Sequence, residues 1–180
     1  MLLTIDETTR RIDLDRGLLD AAVQAAPPGS LTDDYLVEGG PLGDFCESLH
    51  DLVAHVLMWD EINLAVLSEA RAARAHWSLD ARWERPDVGR MLNRGGVAAG
   101  REIPSDLLLH RFASVRAALL DELGALSDEQ WSGAPELEHD AAASLGGLVQ
   151  YVMTVPNQQP FWHAAIHLGQ LAGVAVGGGQ

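Results

Sequence analysis

Lysine is absent from this chain, and all 12 of its basic residues are arginine. Schiff-base chemistry, pyridoxal phosphate attachment, the phosphate-loop lysine and a lysine general base are thereby excluded. Cysteine occurs once, at Cys46, which rules out a disulfide framework or a cysteine-based zinc or iron–sulfur site within one chain. The Gly-x-Ser-x-Gly, Gly-x-Gly-x-x-Gly and Cys-x-x-Cys motifs are missing too. No apolar run approaches the roughly 18 residues of a membrane span, and the opening Met-Leu-Leu-Thr-Ile-Asp-Glu turns acidic too early for a secretory leader. Positive charge is scarce: a net charge of −14 and a pI near 4.7 disfavour nucleic-acid backbones and anionic membrane surfaces, which need a basic footprint. These absences predict a cytoplasmic protein without nucleic-acid or membrane partners.

At 180 residues the chain is long enough for one domain with its own core, spanning residues 1–180. Four segments carry helical periodicity. The first runs from about Leu14 to Ala26, with Leu14, Leu18, Ala22 and Ala25 on the inward face, and Pro27-Pro28-Gly29 ends it. A loop with Asp33-Asp34 and a Gly39-Gly40-Pro41 breaker follows. The second helix opens on Ser48-Leu49-His50-Asp51, which has the form of a capping box, and continues to about Arg74. Its inward stripe reads Leu52, His55, Trp59, Ile62, Val66. Residues Trp77 to Pro104, rich in Arg, Gly and Pro, predict a long connection with little regular structure, of a kind that is often functional.

The third helix starts at Ser105 as N-cap and passes through Leu108, Phe112, Val115, Leu119 and Leu123 to Gly124. A second irregular stretch covers about Leu126 to Leu145, and Gly147 to Val155 fits neither helix nor strand cleanly. The last helix opens near Pro160 and fades into Gly177-Gly178-Gly179. This order predicts an all-α protein, an antiparallel four-helix bundle with long irregular connections, whose ligand sites are built in the core from facing helices.

His163 and His167 lie four residues apart in an apolar run. On a helix this spacing stacks both imidazoles on one face, continued by Gln170, Leu171 and Val174. Two readings stand. Each histidine can be a core residue whose nitrogens are satisfied by backbone or side chains. Alternatively, with His55 as a third ligand, they share one divalent metal that satisfies all of them together. Ala164 occupies the place where His-Glu-x-x-His metalloproteases carry their general base, so peptide hydrolysis by that scheme is not expected. Trp59, one turn after His55, either walls the pocket or packs as core. Gln170 can orient a ligand or hydrogen-bond His167. Asn93, Arg94 and Arg101 in the long connection either bind a carboxylate of substrate or cofactor or belong to the solvated surface. Trp59, Gln170, Asn93 and Arg101 are therefore the substrate-binding candidates. Cys46 reads as a small packed residue, and His76, His110 and His139 as surface residues.

The run Leu52-Val53-Ala54-His55-Val56-Leu57-Met58-Trp59, together with His163-x-x-x-His167-Leu168-Gly169-Gln170-Leu171, resembles the DinB/YfiT-like metalloenzyme superfamily. The order of elements matches over nearly the whole chain. The resemblance implies a four-helix bundle of DinB/YfiT type, often a homodimer, with zinc, nickel or a similar divalent ion on His55, His163 and His167. That superfamily includes bacillithiol- and mycothiol-dependent S-transferases, a thiol-dependent maleylpyruvate isomerase, and hydrolases that open reactive cyclopropane rings in antibiotic producers. The expected function is a metal-dependent enzyme acting on a small electrophilic molecule with a low-molecular-weight thiol. Mycothiol is the favoured thiol, because an Ala/Arg/Gly-rich, lysine-free chain is typical of GC-rich bacterial genomes. The alternatives are a metal-water hydrolase for self-resistance and a non-catalytic metal- or ligand-binding helical protein.

Overall fold

A computed structural model describes residues 1–34, 45–135 and 142–175, and these contain helices, turns and no strand. No helix among them is long and apolar enough to cross a membrane. The α-helices are α1 (Ile5–Ala25), α2 (Leu49–Arg71), α3 (Pro86–Arg101), α4 (Ser105–Gly124), α5 (Asp128–Ser132), α6 (Leu145–Val152) and α7 (Ala164–Ala175). Helix α2 is the hub: it packs against α3, α4, α6 and α7, while α1 packs against α4 and α7. The Gly39-Gly40-Pro41 breaker, His139 and Gly177-Gly178-Gly179 lie outside the described residues.

Helix α1 begins well before the expected Leu14. Thr4 caps it by accepting the Glu7 N–H on its hydroxyl at 3.2 Å, and Asp6 and Glu7 place negative charge in the first turn, where the helix dipole favours it. Its buried row is Thr8, Ile12, Asp15, Arg16 and Leu19. The leucines expected to face inward do not: Leu14 is 45% and Leu18 40% exposed. The cause lies on α2. The Arg16 guanidinium forks onto Asp60, with Nε donating to Oδ2 at 2.8 Å and Nη2 to Oδ1, and Nη1 reaches Asp15. All three side chains are buried. Hydropathy selects the leucine face, but a charge partner on another helix turns the charged face inward, as burial of ions demands.

The Ser48 cap of α2 forms as expected, with the Ser48 hydroxyl accepting the Asp51 N–H at 3.1 Å. The Asp51 carboxylate, however, accepts the Glu47 N–H at 2.9 Å and pairs with Arg101, so the reciprocal half of the capping box is shifted by one residue. The long connection from Trp77 to Pro104 is not irregular. After 3₁₀ turns at Trp77–Leu79 and Ala81–Glu84, helix α3 fills most of it, with Pro86 in its first turn. The glycines that argued for a loop serve close packing instead. A Cβ at Gly100 would fall 2.4 Å from the Ala54 Cβ, and one at Gly96 would fall 2.1 Å from the Met58 Sδ. Helix α3 thus lies against α2 at a distance that larger residues would forbid.

Helix α4 covers Ser105–Gly124 as expected, but Pro104 stands at its N-cap and no side chain caps it, so Ser105 is its first residue and not its cap. The stretch after it contains α5, opened by a full capping box between Ser127 and Gln130. The ambiguous segment is α6, started by the Ser144 hydroxyl accepting the Gly147 N–H at 3.0 Å. The last helix begins at Ala164 rather than near Pro160.

Two substitutions on one turn of α1 separate the observed register from the hydropathic one. Asp15→Ala leaves the buried Arg16 with Asp60 alone and removes the acceptor of the His163, Ala164 and Ala165 N–H groups, and is expected to lower stability by about 3–5 kcal/mol. Leu14→Ser, on the exposed side, is expected to change it by less than about 0.5 kcal/mol. Urea denaturation of the two variants measures both.

Candidate metal centre

His163 is the residue immediately before α7, not a residue within it. The chain reaches it through Phe161, a buried aromatic held at φ 65°, a left-handed conformation that a bulky residue adopts only when packing imposes it. The free N–H groups at the start of α7 are taken by a side chain from α1. Asp15 Oδ1 accepts the His163 N–H at 3.2 Å and the Ala165 N–H at 2.9 Å, while Oδ2 accepts the Ala164 N–H at 2.9 Å. The His167 N–H donates to the His163 carbonyl at 3.4 Å, so the four-residue spacing still brings both imidazoles to one side.

There they meet His55 of α2. The ring centroids form a triangle with sides of 4.8 Å (His55–His163), 5.1 Å (His55–His167) and 5.0 Å (His163–His167). One ligand nitrogen from each residue falls within 4.8 Å of the others, and all three residues are buried. The Phe45 ring packs on His55 with centroids 4.8 Å apart.

Burial sets the charge state. It pushes His55 down to about 3, with the neighbouring His167 and Arg16 adding repulsion. It drives His163 well below its ordinary value, helped by His55, Arg16 and His167. His167 is lowered as well, again mainly by burial, although its bond to Gln170 opposes the shift. At neutral pH all three imidazoles are uncharged, the state in which imidazole binds a metal.

The donor set fits a divalent cation. His55 Nε2 and His163 Nε2 face each other at 2.9 Å. Two nitrogens about 2.1 Å from a shared ion lie about 3.0–3.4 Å apart for angles between 90° and tetrahedral, so an opening of a few tenths of an ångström suffices. Gln170 Oε1 lies 3.1 Å from His167 Nδ1. With the oxygen accepting, the proton of His167 resides on Nδ1 and the lone pair on Nε2, the arrangement a ligating histidine requires. His55 departs from that pattern, because its Nδ1 is buried without a hydrogen-bond partner.

The histidines line a cavity of about 230 Å3 whose walls include Arg16, Phe45, Trp59, Asn63, Asn93 and the 152–156 segment. A wider hollow of about 640 Å3 shares Trp59, Val152, Thr154 and Pro156 with it. Of the residues singled out in the sequence, Trp59 and Asn93 reach the cavity together, joined by a bond of 2.9 Å from Trp59 Nε1 to Asn93 Oδ1. Gln170 touches the site through His167. Arg101 is elsewhere: its guanidinium is bound to Asp51 and Glu47 at the start of α2 and does not line the cavity. Arg94 is exposed and also lies outside the lining.

His50 is buried, with Nε2 at 3.1 Å from the Ile103 carbonyl. His76 is half-buried rather than on the surface and bonds Ser78 Oγ at 2.8 Å, whereas His110 is exposed. Cys46 is buried, and its thiol is pushed far above the usual range by burial and by Asp51. Sequence reasoning missed Asp15, Arg16, Asp60, Asn63 and Phe45. A signal existed for one of them: Asn63, one turn after Trp59, falls beside the apolar stripe of α2, where an unpaired polar residue has no reason to be.

No protein-family model and no curated protein matches the chain. Among solved structures, the crystal structure of an uncharacterised protein from Escherichia coli UTI89 superposes with a TM-score of 0.71 at 15% sequence identity, over 97% of this chain and 94% of the other. That likeness shows a shared fold.

The three depressed imidazoles make the metal-free protein acid-sensitive. The unfolded chain binds protons on them from about pH 6.5 downward, whereas the folded state does not. Stability is therefore complete above about pH 7 and falls as the pH drops through 6.5 towards the folded values, by up to about 1.4 kcal/mol per pH unit per histidine. Urea midpoints between pH 7.5 and 5 are expected to fall steeply in wild type and less so in a His55→Phe variant. Equal slopes would contradict the assignment.

Proposed function

We propose that this protein is a metal-dependent enzyme of the DinB/YfiT-like four-helix-bundle superfamily. In this reading a divalent ion, zinc or nickel, sits on His55, His163 and His167, and a low-molecular-weight thiol of mycothiol type modifies a small electrophilic molecule. The observation that carries it is the convergence of three uncharged, buried imidazoles from α2 and the start of α7 on one end of a cavity. An ion bound there would supply Lewis acidity and lower the pKa of a coordinated thiol or water.

The chain's own groups define what must come from outside. Within the described lining, the Thr154 hydroxyl is engaged with the Gln150 carbonyl. The Asp15 and Asp60 carboxylates are held by Arg16. Cys46 is no thiolate at neutral pH and does not line the cavity. With the three imidazoles coordinated, the described lining presents neither a nucleophile nor a free general base, so the attacking group arrives as a bound small molecule. Trp59, fixed by Asn93, and Phe45 give the entering molecule apolar walls that exclude water. Gln170 holds His167 in the tautomer that directs its lone pair away from Gln170.

Elemental analysis of untagged protein, purified without added metal, tests the ligand set. About one divalent ion per chain is expected in wild type and little or none in His163→Ala or His55→Ala. Full metal content in His55→Ala would contradict it. For the metal-loaded protein, adding mycothiol is expected to release protons at pH 7, and turnover of an electrophile is expected to require the thiol. Turnover without thiol would identify hydrolysis by water instead.

A further inference from the structure

Asn63 lies two turns beyond His55 on α2, with Trp59 between them, and all three line the same cavity. Residues at i, i+4 and i+8 stack along one helix face. The cavity therefore has a polar end at the histidines, an aromatic stretch at Trp59, and a second polar point at Asn63. Asn63 is only 5% exposed, its Oδ1 has no partner, and its side chain makes no hydrogen bond with any described residue.

Apart from His55, whose Nδ1 has no partner either, the other polar side chains of the described lining are engaged. Arg16 is held by Asp60 and Asp15, Asn93 Oδ1 accepts from Trp59, Thr154 donates to Gln150, and His167 is held by Gln170. Buried amides in folded proteins are almost always paired. An unpaired one in a cavity wall is unexplained by the scaffold and is explained by an occupant.

We propose that the Asn63 amide is the recognition group of this cavity, and that it selects a compact, uncharged molecule carrying a hydroxyl or carboxamide. The absence of charge follows from Arg16. Its guanidinium is already bound by two carboxylates, so beyond an ion at the histidine end the described lining offers no free cation for a carboxylate or phosphate beside Asn63. Compactness follows from the volume of about 230 Å3, below the roughly 300–1,000 Å3 of sites for drug-sized ligands. A bulkier remainder of such a molecule has room in the adjoining hollow, across the shared Trp59–Pro156 wall. This inference rests on the enzyme reading for the identity of the occupant as substrate, but the recognition by Asn63 needs no metal.

The test uses metal-free, chelator-treated protein and three probes of one shape: phenol, toluene and benzoate. Binding is followed by amide NMR titration, including the Asn63 side-chain signal. Phenol is expected to bind about tenfold more tightly than toluene, with benzoate weaker than phenol. In Asn63→Leu the phenol–toluene difference is expected to shrink to about twofold or less. The same variant is expected to unfold about 2–4 °C higher, because a residue kept for binding costs stability; an amide needed by the scaffold would give a lower midpoint. Should the leucine variant fail to fold, Asn63→Ala reads the same preference. Failure of wild type to bind phenol, tighter binding of benzoate, or an unchanged preference in the variant would overturn the proposal. Zinc uptake by the same samples reports separately on the metal centre: Asn63→Leu is expected to take up as much zinc as wild type.

Discussion

The carboxylate of Asp15 accepts the N–H groups of His163, Ala164 and Ala165 while it shares the Arg16 guanidinium with Asp60. Three helices meet in that arrangement: α1 supplies Asp15 and Arg16, α2 supplies Asp60, and α7 is held by its first N–H groups. The two carboxylates and one guanidinium leave a net negative charge in the core, facing the partial positive charge of a helix N-terminus. Such a network is costly to bury, and it is tolerated because each ion is paired and hydrogen-bonded. Its effect is positional. It sets where α7 begins, and therefore where His163 and His167 stand relative to His55 on α2.

From that constraint the chemistry of the centre follows. The histidines are deep enough that burial keeps all three neutral, so they are competent ligands without competition from protons at physiological pH. Gln170 fixes one tautomer, and Trp59 is locked by Asn93 one turn from His55. These supports come from α2, α3 and α7, rigid elements whose packing fixes the side chains, as a preorganised site requires. The structural likeness to the Escherichia coli protein extends over nearly both chains but carries no chemistry, since function resides in the residues of a site and not in the fold.

Much of this was legible in the sequence, and the parts that were not have physical reasons. His55, His163 and His167 stood out through spacing and apolar surroundings, and the Ser48 cap and the stripe through Leu108, Phe112 and Leu119 located α2 and α4. Gly96 and Gly100 concealed α3, because glycine marks a loop locally but here permits close contact with Ala54 and Met58. Leu14 and Leu18 misassigned the inward face of α1, because hydropathy is blind to a charge partner that arrives from another helix. Arg101 looked available for a substrate carboxylate, yet Asp51 and Glu47, some 50 residues earlier in the chain, already occupy it. Each of these three failures concerns a contact distant in sequence, which periodicity and local propensity do not encode. The Thr4 cap of α1 and the Ser127–Gln130 box of α5, by contrast, were local signals left unread.

The central claim is that His55, His163 and His167 act together as one ligand set, and the coordination shell of a bound ion tests it most directly. X-ray absorption at the zinc edge of the zinc-loaded protein should show three imidazole nitrogens at about 2.0–2.1 Å, with the remaining positions filled by oxygen. A shell with one or two imidazoles, or with sulfur from Cys46, would contradict the account.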